Sequence, residues 1–338
     1  MKNLEFKEDE ILDIIGMGRI GVDLNANEVN RPLKETMTFT KSVGGSPANL
    51  AVGAARLGLK TGFIGRVSDD QHGEYILNYF KDNNIDISNI KKDNTSVNGL
   101  AFTEIRDPSN CDIIMYRDNV ADLKIDPKEI NEEYIKNSNV LLISGTALSK
   151  SPSREAVLLA VEYARKNNTV VAFDIDYRPY SWVSKEETAI YYNILAEKSD
   201  IIIGTREEFN KIEYLLMPEN NDDSVTAQKW INKNAKIVVV KHGEDGSIAY
   251  TNDGDKFIGG IYPAEVVNTF GAGDSYAAAF LYSLIKGNSL NECLKYGSAA
   301  AAIVISKHTC SEAMPTVAEI NDYIKNHSIK VMSDNNEQ

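Results

Sequence analysis

The chain has 338 residues, 43% of them hydrophobic, enough to bury a large core in one α/β unit or two smaller ones. Its 36 Lys and Arg against 49 Asp and Glu give a formal charge of −13, which excludes the broad basic face of a nucleic-acid binder and obliges an anionic ligand to find a local pocket of cations or backbone amides. Cys111, Cys293 and Cys310 are odd in number and widely spaced, so they read as reduced thiols rather than a disulfide framework or a zinc site; with a charged stretch at Met1–Glu10 and no apolar run of membrane-spanning length, the expected location is cytoplasmic.

Ile11–Ile15 reads as the first strand, and Gly16-Met-Gly18-Arg-Ile-Gly21 follows it. That spacing matches the G-x-G-x-x-G dinucleotide fingerprint, which works only when its last glycine opens a helix whose amides face a pyrophosphate. Val22 to Pro32 has no helical stripe and ends on a proline, so the fingerprint lacks the helix it needs. Asp23 is placed at the C-terminal end of the first strand, where open sheets collect ligands; an Asp that merely ends a strand fits equally well.

Residues 28–43 and 96–123 are polar, rich in Thr and Asn, and partly alternating, as in Leu100-Ala-Phe-Thr-Glu-Ile and Asp112-Ile-Ile-Met-Tyr-Arg. They are expected to form antiparallel strands with one wet face, either a lid over a site or ordinary edge hairpins. Between them, Gly44-Gly45-Ser46-Pro47-Ala48-Asn49 runs into a helical segment. Paired glycines let a ligand approach the backbone, and Asn49 offers a donor and an acceptor to a hydroxyl; Gly-Gly before a helix is, by itself, often a turn and a cap.

The middle of the chain alternates: a strand at Val140–Ser144, a helix at Ser153–Lys166 with Ala156, Val157, Leu159, Ala160, Val161 and Ala164 as its stripe, then strands at Thr169–Asp174, Ile201–Ile203 and Ile237–Val240. Continuous Val/Ile runs separated by helices predict a doubly wound, mainly parallel sheet. The last third is helical at Ser275–Lys286, Leu290–Ser306 and Val317–Asn326, so residues 1–330 are read as one domain with 331–338 as a tail.

Asn268-Thr269-Phe270-Gly271-Ala272-Gly273-Asp274 precedes the first of these helices. Small residues there free several N–H groups to face an anion, and the helix dipole reinforces them. Asp274 is placed to take a proton from an attacking hydroxyl, although an Asp that only caps the helix has the same appearance. No G-x-x-x-x-G-K-[ST] loop and no H-R-D or D-F-G motif occurs.

Together, Gly44-Gly45-x-x-x-Asn49 and Gly271-Ala-Gly-Asp274 resemble the two signatures of the ribokinase (PfkB) family of carbohydrate kinases, over about Ile11 to Asn326. The resemblance implies an α/β core with a small β-sheet lid, ATP and Mg²⁺, and a small-molecule sugar as the acceptor. Asp274 would be the catalytic base and Gly271, Ala272 and Gly273 the anion hole, while Asp23, Gly44, Gly45 and Asn49 would serve the substrate. Asp174-Ile-Asp176-Tyr-Arg178-Pro-Tyr-Ser-Trp182 is similar to a D-x-N-x-R-x-x-x-W stretch of fructokinases and sugar-acid kinases, with Asp176 in place of Asn. Tyr116 and Arg117 resemble the lid pair that meets a substrate carboxylate, and Arg178 is a second candidate for an anion; each arginine could equally make a surface ion pair.

Thr205-Arg-Glu-Glu208 falls where the family has N-x-x-E, implying a water-mediated role at Mg²⁺ for Glu208, and Lys241, Gly243 and Gly246 fall on the turn that borders the nucleotide. Asn268 replaces the Asp that usually helps bind a monovalent cation, which leaves K⁺ dependence open. Gly18-Arg-Ile-Gly-Val-Asp-Leu-Asn, Met115-Tyr-Arg-Asp-Asn-Val-Ala-Asp, Ile203-Gly-Thr-Arg-Glu-Glu-Phe and Cys310-Ser-Glu-Ala-Met-Pro-Thr resemble a branch acting on keto-deoxy sugar acids. A 2-dehydro-3-deoxygluconokinase or a fructokinase of the same family is the alternative, and a non-catalytic sugar-binding regulator the alternative of a different class. Lids of this family often pair, implying a homodimer, although these lid segments are polar enough to stand alone.

Overall fold

The computed structural model describes residues 4–7, 10–107 and 110–331, with the side chains of 105–111, Cys111 included, outside the described set. Its strands are β1 Leu12–Met17, β2 Gly21–Ala26, β3 Phe39–Gly44, β4 Thr61–Ser68, β5 Ile90–Asp93, β6 Gly99–Asp107, β7 Asn110–Tyr116, β8 Ser138–Ser144, β9 Val170–Asp174, β10 Ile201–Thr205, β11 Ile237–Lys241, β12 Ser247–Thr251 and β13 Lys256–Gly259. Its helices are α1 Ser46–Arg56, α2 Gln71–Asp82, α3 Glu132–Lys136, α4 Ser153–Lys166, α5 Lys185–Ala196, α6 Arg206–Glu213, α7 Asp223–Ile231, α8 Ala272–Ile285, α9 Leu290–Ile305 and α10 Val317–Asn326.

Nine strands form the main sheet in the order β13-β12-β11-β10-β9-β8-β1-β4-β5, parallel from β5 to β11 and antiparallel at the β12 and β13 edge. The inner strands are apolar on both faces because helices cover both: every residue of β8 and β9 is buried. One face packs Ala156, Val157, Ala160 and Val161 of α4 together with Tyr192, Phe209 and Trp230 of α5 to α7. The other packs Leu50 and Ala54 of α1 against Ala277, Ala278, Phe280 and Leu281 of α8 and Leu294 of α9. The chain leaves β1 toward β4 and β5 on one side and returns through β8 to β11 on the other, so the order reverses beside β1. Open sheets bind ligands at such a reversal, beyond the carboxyl ends of the strands.

A separate four-stranded sheet, β3-β2-β6-β7, stands over that end. It corrects the placement of Asp23: the carboxylate lies on β2 of this small sheet, not at the end of β1, because the chain turns at Gly18–Ile20 and starts a new strand at Gly21. Gly21 therefore opens a strand, and no helix follows the dinucleotide-like spacing. The expected lid segments also shift, since residues 28–38 hold only a short 3-10 turn at Leu33–Glu35 and the strands lie to either side. Among the described residues no helix is long and apolar enough to cross a membrane.

Candidate active site

The reversal point carries a cavity of about 400 Å³. Its base is made by residues at strand ends: Asp174 of β9 with Asp176 just beyond, Thr205 of β10 and Lys241 of β11. Two helix N-termini form a wall, with Gly45, Ser46 and Asn49 at α1 and Gly271, Gly273 and Asp274 at α8. The small sheet covers them. Side chains alternate along its strands, so the pairs Asp23 with Ala101 and Asn25 with Thr103, followed across by Met115 and Ile113, bring residues of three strands to the cavity in two rows.

Helices α1 and α8 have no side-chain cap, whereas Asp70, Ser184 and Ser289 cap α2, α5 and α9. Both begin on a glycine with positive φ, Gly45 at 106° and Gly271 at 75°, which turns the chain sharply into the helix. The first-turn amides of α8 are thus left for an anion, with the helix dipole behind them. Lys241 joins them: a methyl group built on Gly273 would sit 3.3 Å from its ammonium, which also lies 3.9 Å from Asp174.

Asp274 is buried, accepting from Ser46 Oγ at 2.7 Å and from Asn49 Nδ2 at 2.8 Å. Burial, then the neighbouring Asp176, raises its pKa above the usual carboxylate value, while those two hydrogen bonds and Arg178 pull it back. A buried carboxylate with raised affinity for a proton, hydrogen-bonded at both oxygens, has the chemistry to abstract a proton from an alcohol. Asn49 Oδ1 is buried without a partner, an acceptor that a ligand hydroxyl would satisfy. Burial lifts Asp23 to about 6, opposed first by Arg19 and added to by Asp274. Gly44 lies behind Asp23, where any Cβ would overlap the Asp23 carboxylate.

Ser46 Oγ also reaches Asp174 Oδ2 at 3.2 Å. Burial, opposed by Lys241 and reinforced by Asp176, Glu208 and Asp274, pushes Asp174 up to about 8. Asp176 adopts φ 41° and accepts from Ser144 Oγ at 2.8 Å and Thr146 Oγ1 at 3.3 Å, and its other oxygen meets Arg178 at 2.8 Å. Glu208 lines the cavity but also closes a capping box with Thr205: its carboxylate accepts from Thr205 N at 2.8 Å and from Tyr177 N at 3.0 Å. Asn268 is committed too, donating to Lys307 O and accepting from Phe270 N.

Several expected residues lie elsewhere. Arg117 does not line this cavity; its guanidinium makes a two-pronged pair with Asp122 at 3.1 and 2.9 Å, because Asp122 follows on the same loop and is itself buried. Tyr116 is 60% exposed, on the face of the small sheet away from the Asp23 and Asn25 rows. Gly243 and Gly246 form the turn between β11 and β12 outside the lining, where a Cβ on Gly246 would strike Gly259 O. Conversely, Ser46, Arg19, Asp174, Asn25 and Thr103 line the cavity although sequence reasoning gave them no role. Ser46 was detectable as the hydroxyl opening a helix right after the glycine pair, and Arg19 as a charge inside a glycine run at a strand end. Asn25 and Thr103 carry no signal without the register.

The chain matches the model described as pfkB family carbohydrate kinase over residues 13–317. It is 61% identical over 328 residues to the 5-dehydro-2-deoxygluconokinase of Geobacillus kaustophilus, covering 97% of this chain and 98% of that one. Among solved structures, an uncharacterized sugar kinase of Pyrococcus horikoshii in complex with ATP aligns with a TM-score of 0.78 at 25% identity, over 92% of this chain and 100% of that one. A putative ribokinase II of E. coli in complex with ATP and Mg²⁺ gives 0.84 at 24% identity, over 94% and 100%.

Proposed function

Because this chain belongs to the pfkB family of carbohydrate kinases, we propose that it moves the γ-phosphate of ATP onto the primary hydroxyl of 5-dehydro-2-deoxy-D-gluconate, giving the 6-phosphate in myo-inositol degradation in the cytoplasm. The observation that carries this reading is the pairing of one buried carboxylate, Asp274, with the uncapped N-terminus of α8 beneath a roof of hydroxyl-binding side chains. Asp274 takes the proton as the substrate oxygen attacks, and the Gly271–Gly273 amides and Lys241 receive the charge on the transferring group. Asp23, Asn25 and the unpartnered Asn49 Oδ1 orient the remaining hydroxyls.

Among the described residues no cluster of three His, Cys, Asp or Glu side chains is placed to hold a metal. That fits Mg²⁺ arriving on the nucleotide, since Mg²⁺ keeps several waters and binds chiefly through phosphates; Glu208, with both oxygens already on backbone amides, would meet it through water. Bound there, Mg²⁺ would neutralise charge on the β- and γ-phosphates. Asn268, in place of the Asp that helps bind a monovalent cation, donates to Lys307 O and accepts from Phe270 N.

A coupled assay of ADP release across a panel of sugar acids and neutral sugars tests the assignment. Turnover of 5-dehydro-2-deoxygluconate above all others is expected. Faster turnover of 2-dehydro-3-deoxygluconate or fructose would reassign the substrate, and no turnover with any sugar would favour a binding protein. For assembly we propose a homodimer through the outer face of the small sheet, where Phe39, Phe102 and Tyr116 form an edge-to-face row beside the exposed Ile114; light scattering decides between one copy and two.

A further inference from the structure

We propose that Arg19, on the turn between β1 and β2, is the residue that recognises the substrate's carboxylate, and that Arg117 acts on it only indirectly, by fixing that turn. The proposal rests on the sugar-acid reading above and names the residue that gives the site its selectivity for an acid.

The charge balance of the cavity leads to Arg19. Its lining carries five carboxyl groups, Asp23, Asp174, Asp176, Glu208 and Asp274; burial raises Asp174 to about 8, so that one keeps its proton near neutrality, and the others repel an anionic substrate unless a cation is reserved for it. Three cations face the same space: Arg19, Arg178 and Lys241. Arg178 is spent on Asp176 at 2.8 Å, and Lys241 stands 3.9 Å from Asp174 at the α8 end, where phosphate is handled. Among the described residues no carboxylate lies within ion-pair distance of Arg19; its contact is a neutral one, Nη1 donating to Tyr180 Oη at 3.0 Å. A guanidinium has five donors in a planar fork, so a single phenol leaves a face free for a two-pronged carboxylate. Asp23 feels Arg19 before any other cation, with Arg117 the weakest of the four charges acting on it, and of these two arginines Arg19 is the one that lines the cavity with Asp23 and Asp274.

The turn is held for this purpose from both sides. Gly45 packs so closely on it that a Cβ would lie 2.5 Å from Arg19 O. The adjacent amide, Ile20 N, donates to Asp122 Oδ2 at 3.2 Å, and that same oxygen receives Arg117 Nη1 at 3.1 Å. Asp122 is 1% exposed, so the Arg117–Asp122 pair is a buried brace between the loop after β7 and the turn that bears Arg19. Arg117 has its charge matched by this buried aspartate and its end-on fork occupied, and it does not line the cavity, whereas its removal would free the turn.

The test compares Arg19→Gln, Arg19→Lys and Arg117→Gln with the unmodified protein, measuring KM and kcat for the sugar acid, for its C1 carboxamide and for ATP, with a melting curve for each. For Arg19→Gln, KM for the acid should rise on the order of 100-fold, the loss typical of truncating one partner of a desolvated charge pair. KM for ATP should stay within about threefold, and the preference for acid over amide should collapse. Arg19→Lys, which keeps charge without the fork, should fall between and gives the answer if Arg19→Gln does not fold. Arg117→Gln should melt earlier and raise KM for acid and amide together. The proposal is overturned if Arg19→Gln and Arg19→Lys keep the acid-over-amide preference, or if Arg117→Gln alone abolishes it with its melting point intact. Wild-type protein that prefers the amide or a neutral sugar would instead sink the sugar-acid reading itself, and that result is visible before any variant is made.

Discussion

Ser46 has one hydroxyl hydrogen and two carboxylates in reach, 2.7 Å to Asp274 and 3.2 Å to Asp174. Both carboxylates are buried, so they resist ionising together. With Asp174 raised to about 8, it is the one that keeps a proton near neutrality, and it can donate to Ser46 Oγ while Ser46 donates to Asp274. The hydroxyl thereby favours the anionic form of the base. In Ser46→Ala the Asp274 carboxylate loses that bond and keeps the one from Asn49. A hydrogen bond to a charged group is worth about 1.5–3 kcal/mol, and about 1.36 kcal/mol corresponds to one pH unit, so the acidic limb of the kcat profile should move up by roughly 1–2 pH units. Below that limb the variant should be about 10- to 100-fold slower, and well above it close to the unmodified enzyme. Of the groups that face Asp274, Asp23, Asp176, Arg178 and Cys310 are unchanged by the substitution, while Asp174 loses its own bond to Ser46 at the same time, so the limb reports the hydroxyl's link to both carboxylates. Initial rates from pH 5 to 10 at saturating ATP and sugar acid, with urea unfolding as a control, give the answer. A limb that stays put, with kcat within twofold at every pH, refutes the wiring.

Asp274→Asn removes the base while keeping the shape, and turnover should fall by about 10²–10⁴-fold with ATP affinity retained, measured by titration calorimetry. Asp174 holds its proton to about 8 when folded and to an ordinary 3.8 when unfolded. Between those values the unfolded chain is the form that has released the proton, so this group's effect on stability turns less favourable as pH rises through that window. Asp174→Asn should flatten the slope, and its melting temperature should fall less between pH 6 and 8 than that of the unmodified protein; an identical slope would refute it. Gly44→Ala should push the Asp23 carboxylate aside and raise KM for the sugar about tenfold with KM for ATP unchanged, since the three atoms nearest its Cβ all belong to that carboxylate.

Much of the core was legible because burial on both faces writes itself into the chain. Helix α4 starts and ends where its apolar stripe predicts, Ser153 to Lys166, and β8 and β9 are the apolar runs before and after it. The predicted ends erred in an instructive direction. Apolar runs stop at Ile203 and Val240, but β10 and β11 continue to Thr205 and Lys241, and those extra residues line the cavity. Polar side chains at the carboxyl end of a buried strand weaken the hydrophobic signal where the chemistry begins.

The small sheet was harder to read, because its strands hide one face in the cavity and that face is polar. Asp23 is expected at the end of β1, Asn25 gives no strand signal, and Thr103 falls in an expected strand without a sign of which face it takes; in the structure they alternate with Val22, Leu24 and Phe102 on β2 and β6. Arg117 exposes a different gap: a resemblance can locate a Tyr-Arg pair, but its engagement depends on Asp122, five residues on across a non-helical loop and outside any periodic rule. What decides whether such an arginine faces a ligand or a neighbour is the nearest buried carboxylate. Asp122 claims Arg117 and Asp176 claims Arg178, while Arg19, within the field of Asp176 and Asp23, has among the described residues no carboxylate at ion-pair distance and donates to the Tyr180 phenol. The selectivity of the cavity therefore follows from which of its cations the protein leaves unneutralised, a property of the assembled charges that no single motif contains.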